Sequence, residues 1–104
     1  MSTVLTYRND GERPFCEIAL NDGDRVQMRL DKSGLVIERQ ALGERPAEIL
    51  FKGGVDLVAD MCVALLGPVA AKKTTPLDVL VSVVVQMGSA ADVRAAFHAA
   101  AKAL

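Results

Sequence analysis

Thr75-Pro-Leu-Asp-Val-Leu-Val-Ser-Val-Val-Val-Gln-Met87 is the stretch whose reading decides the fold. Its five valines argue for a strand, because β-branched side chains are stiff in a helix and fit a pleated surface. Its polar residues argue the other way. Asp78, Ser82 and Gln86 recur every four residues, which makes a thin polar stripe on a helix. In a strand they would share a face with Leu80 and Val84 and spoil the alternation. The start is also helical chemistry: Thr75 can cap the free amides, Pro76 suits the first turn, and Asp78 faces the positive end of the dipole. The spacing therefore predicts a helix over 77–87, with the strand as its rival.

Working outward to the C-terminus, Ser89 caps a last helix, Ala90 to Leu104, with Asp92 three residues in. Val93, Phe97, Ala100 and Leu104 form its expected packing face, and Arg94, His98 and Lys102 a cationic row on another face. Toward the N-terminus lies a connector, 69–75. Before it, Val55 to Leu66 reads as a helix between Gly53-Gly54 and Gly67-Pro68. Its only charges, Asp56 and Asp60, lie one turn apart.

The first half changes period from near four to two. Cys16, Ile18 and Leu20 share one face of a strand over 14–20. Val26, Met28 and Leu30 alternate with Arg25, Gln27 and Arg29, and Leu35 and Ile37 share a side of 34–40. Thr3 to Arg8 is a first strand with weak patterning. Asn9-Asp10-Gly11, Asn21-Asp22-Gly23 and Lys32-Ser33-Gly34 supply turns. The echo of Asn9–Arg13 in Asn21–Arg25 reads as two similar hairpin turns; the ligand ladder and distal Glu of a calcium loop are missing. After a loop at 41–46, Ala47 to Lys52 is taken as a fifth strand with Ile49 and Phe51 on one face. A single helical turn between Pro46 and Gly53 is the alternative.

The prediction is one α+β domain over 1–104: a four- to five-stranded antiparallel meander covered on one face by about three helices. The composition fits, with 51% apolar residues but only 4% aromatic, so the core is aliphatic. Net charge is −1 with both signs spread over each half, which leaves no basic field for nucleic acid and no polybasic stretch for a membrane surface. The apolar segments at 55–71 and 77–91 carry Asp56, Asp60 and Asp78, which argues against a membrane span. Met1 to Arg8 has neither a charged n-region nor a long apolar h-region, so a cytoplasmic chain with reduced Cys16 and Cys62 is expected.

Catalytic chemistry has little to work with. His98 is the only histidine and reads as a surface residue; the neighbours of Cys62 would raise its pKa. Asp56 and Asp60, with Asp78, are the candidate polar site, and no metal spacing, nucleotide loop or cofactor motif is present. The 77–87 helix is apolar nearly all round, more than a small domain readily covers. The leading expectation is therefore a non-enzymatic interaction or assembly module. It is a homodimer through Leu80, Val81, Val84 and Val85, or a docking site for another protein. A small-molecule or lipid carrier with an apolar pocket between sheet and helices comes second, and an enzyme using Asp56 and Asp60 third. Arg25, Arg29 and Arg39 could alternatively dock an acidic partner.

Overall fold

The computed structural model describes residues 2–9, 13–67 and 75–104. Five strands run β1 (Thr3–Arg8), β2 (Phe15–Ala19), β3 (Arg25–Asp31), β4 (Gly34–Arg39) and β5 (Glu48–Gly53). Three helices follow: α1 (Val55–Leu66), α2 (Pro76–Val85) and α3 (Ala90–Lys102). The strands form one antiparallel sheet in sequence order, with β3 at its centre. This is the α+β meander that the change of period implied.

The hairpins use the anticipated chemistry where they are described. In the second turn the Leu20 amide donates to the Asp24 carbonyl at 2.8 Å, and the Asp24 amide donates to Asp22 Oδ1 at 2.9 Å. Gly23 takes φ +91, a conformation that side chains with a Cβ resist. The turn tip at 10–12 and the connector at 68–74, including Lys72-Lys73, lie outside the described residues.

The valine-rich stretch is a helix. The Thr75 hydroxyl accepts from the Asp78 amide, and Ser82 and Gln86 are exposed while Leu77, Leu80, Val83 and Val84 are buried. Burial overrides the modest helix penalty of valine because one apolar face has both a sheet and a helix to pack on. α2 lies against β2 and α1, α1 against β4, and α3 against β5 and α1. Ser89 caps α3 by accepting from the Asp92 amide at 3.2 Å.

Between sheet and helices sits one cluster of buried residues. Cys16, Ile18, Met28 and Ile37 from the sheet meet Met61, Leu80, Val84 and Phe97 from the helices, all without accessible surface. The sequence pattern misplaces three residues, Ile49, Leu50 and Leu104. Ile49 was expected inside beside Phe51, yet it is 56% exposed, whereas Leu50 and Phe51 are both buried. The cause is a β-bulge: Ile37 pairs with Phe51 but Glu38 pairs with Ile49, so Leu50 is an extra residue that resets the alternation. Leu104 was expected on the packing face of the last helix, but that helix ends at Lys102 and Leu104 is 56% exposed.

Candidate interaction surface

Of the four residues read as interface candidates, two are fully and two partly covered by the chain itself. Leu80 and Val84 have no accessible surface, and Val81 and Val85 are partly buried against the same core. Helix α2 therefore leaves Pro76 and Ser82 exposed, and Gln86 at its C-terminal cap, with Val81 and Val85 partly accessible beside them. Exposed apolar side chains occur elsewhere: Val55, Val63 and Leu66 on α1 at 40–48%, and Val4, Leu5 and Tyr7 on the edge strand β1 at 39–45%.

The candidate polar residues lie on two helices, with no hydrogen bond between Asp78 and Asp56 or Asp60 among the described residues. Asp56 and Asp60 are exposed on α1, while Asp78 is occupied at the start of α2. Its carboxylate accepts from the Thr75 hydroxyl at 2.7 Å and from the Asn9 side-chain Nδ2 at 3.4 Å. His98 engages neither Asp56 nor Asp60; its Nε2 lies 3.1 Å from the Leu50 carbonyl and its ring meets Phe51 edge-on. No group of metal-ligating side chains is found among the described residues. Both cysteines are free and buried. Burial pushes the Cys16 thiol up to about 11, with the Glu17 carboxylate adding to the effect, and burial raises Cys62 in the same direction. Neither thiol is a ready nucleophile at neutral pH.

The hollows are surface features. One of about 300 Å³ lies where α3 begins, between Asp24, Arg39, Arg45, Glu48 and Arg94. Its charges pair with one another: Arg45 bonds Asp24, and both Arg39 and Arg94 reach Glu48, while the buried Arg39 Nε is left without a hydrogen-bond partner. Arg39 is thus not part of an arginine surface. It shares parity with Leu35 and Ile37, faces the helices, and its side chain is only 11% exposed. Another hollow, of about 490 Å³, is lined by Arg13, Pro14, Phe15, Arg29, Leu30, Asp31 and Val36. Neither of these two hollows is lined by the valines and methionines between sheet and helices.

What the register does assemble is a patterned sheet face. Cys16, Met28 and Ile37 point to the helices, so their neighbours along each strand point away. None of the three helices packs on that side. Directly paired residues line up across it in rows. Arg8, Phe15, Arg29, Val36 and Lys52 form one row, and Thr6, Glu17, Gln27, Glu38 and Ile49 the next. Arg25 and Asp31 stand on the same face at the two ends of β3. The rows are roughly 7 Å apart, two residues along a strand.

The first row is cationic and the second anionic. Phe15, Ala19 and Val36 are half-buried in this face, and Arg8, Arg25, Arg29 and Lys52 are exposed. Arg25 lies 3.7 Å from Glu17 within the face. The Ser33 hydroxyl, then its amide, donates to Asp31, which holds that carboxyl below the usual carboxylate range.

Sequence reasoning found Arg25 and Arg29 but not the bands. Period two assigns each residue to a face of its own strand; only the inter-strand register puts Arg8, Arg29 and Lys52 in one line. No described helix is long and apolar enough to cross a membrane. Comparisons with protein-family models, curated proteins and solved structures found no match, so the reading of this surface rests on its own residues.

Proposed function

We propose that the chain is a non-enzymatic interaction module that associates with itself through the helix-free face of its sheet, in a reducing compartment such as the cytoplasm. One observation carries this reading. Three helices cover one side of the sheet, while the other side presents half-buried Phe15, Ala19 and Val36 among ordered bands of charge. A face that only had to stay wet has no need of these apolar side chains at its middle. Two free, buried cysteines agree with the compartment.

The face spans roughly 20 × 20 Å by strand spacing and rise, which is small for a specific interface and fits reversible association of micromolar strength or weaker. Sedimentation and amide-resolved NMR over about 1 µM to 1 mM test this range of affinity. The expected result is a mass rising toward the dimer, with concentration-dependent shifts at Phe15, Gln27, Arg29 and Val36. A constant monomer mass, or shifts confined to α1 around Val63 and Leu66, would overturn the proposal.

A further inference from the structure

We infer that the partner on this face is a second copy of the chain, held by a two-fold axis that crosses the strands midway between the cationic and anionic rows. This rests on the proposed use of the helix-free face and adds its geometry. The outward residues of the central strand read Arg25, Gln27, Arg29 and Asp31. Laid antiparallel on itself, that series places Arg25 over the partner's Asp31 and Arg29 over the partner's Gln27. The neighbours of Gln27 in its row are Glu17 on β2 and Glu38 on β4. Arg29 therefore enters between the partner's Glu17 and the partner's Glu38.

The same operation sets Lys52 over the partner's Ile49, whose exposed side chain gains the aliphatic stem of the lysine. Phe15 and Val36 then lie at the centre, over the stems of the partner's Glu17 and Glu38. Every contact occurs twice, as an isologous interface requires. The alternative axis, along the strands, would lay the cationic row on the cationic row and is disfavoured by like-charge repulsion. An acidic protein could use the cationic row, but the flanking Glu17, Glu38 and Asp31 would repel it. A second copy makes use of both signs.

The test is a charge exchange between two variants, R29E and E17K/E38K, each checked for native circular dichroism and thermal unfolding. Alone, each places like charges together: Glu against Glu in the first, and Arg29 against Lys in the second. Each is expected to lose at least about tenfold in self-association by sedimentation, the size of effect that charge reversal in an interface gives. Mixed, they restore opposite charges at both halves of the contact. Native mass spectrometry should then show the heterodimer dominating over either homodimer.

If the wild type associates through this face but the mixture gives no heterodimer, the two-fold arrangement is wrong and the use of the face survives. If E17K/E38K alone associates as tightly as the wild type, the arrangement is again overturned, because Glu17 and Glu38 then do not face the partner's Arg29. If the wild type does not associate at all, both readings fall.

Discussion

Gly34 shows how one residue couples two parts of the sheet. It follows the Lys32-Ser33 turn at φ +128, and a Cβ built on it would stand 2.0 Å from the Gly53 carbonyl oxygen and 2.9 Å from Gly54 Cα. Both obstacles are backbone, where β5 passes into α1, so nothing can rotate aside. Gly34→Ala combines a disfavoured φ with a clash, and about 2–4 kcal/mol of lost stability is expected. Gly23 is the control. Its φ is +91, but a Cβ there meets nothing within 4 Å, so Gly23→Ala should cost only about 1–2 kcal/mol. Denaturant midpoints of the two variants measure the difference; equal losses would mean that the Gly34–Gly53 approach does not constrain the fold. Lys32-Ser33-Gly34 is legible as a turn in the sequence. That its glycine is required by residues nineteen positions later is not, because that distance is set by the β4–β5 register.

At the scale of elements, α2 is the point of decision, and its two sides should respond differently to truncation. Val84 has no accessible surface, so Val84→Ala opens a cavity and should cost about 2 kcal/mol or more. Val81 is only partly buried, and replacing valine by alanine there gains roughly half a kcal/mol of helix propensity. Val81→Ala should therefore change the thermal midpoint little. Comparable losses at the two positions would contradict the packing assigned to this helix. The four-residue spacing of Asp78, Ser82 and Gln86 makes the stretch legible as a helix, since tertiary burial and periodicity agree there while valine propensity is weak. The degree of its cover was not legible. Periodicity names the apolar face of a helix but not how many neighbours enclose it, and α2 turns out to be flanked by α1 as well as the sheet. The β5 bulge escaped for a related reason: one inserted residue, Leu50, shifts the alternation, and the strand's own composition carries no mark of it. The interaction surface was half legible, with Arg25 and Arg29 outward by parity and the rows invisible without the pairing.

For the whole molecule, the net charge of −1 leaves little long-range repulsion between copies, so local pattern decides whether they meet. Two kinds of surface compete for that role, and salt separates them. The sheet face holds charge bands roughly 7 Å apart. Their attraction survives a Debye length of about 10 Å at 0.1 M ionic strength and is largely screened at about 3 Å near 1 M. The exposed stripe of Val55, Val63 and Leu66 on α1 is apolar and would associate as well or better in high salt. Association of native copies stabilises them by mass action, so the thermal midpoint becomes a readout of which surface is used. At low salt it should rise with protein concentration, and this dependence should flatten near 1 M sodium chloride, leaving the smaller contribution of Phe15 and Val36. R29E should show a weaker concentration dependence than the wild type at low salt, and the difference between the two should close near 1 M, where the charges of both are screened. A dependence that strengthens with salt would instead point to α1, because only apolar burial gains when charge is screened.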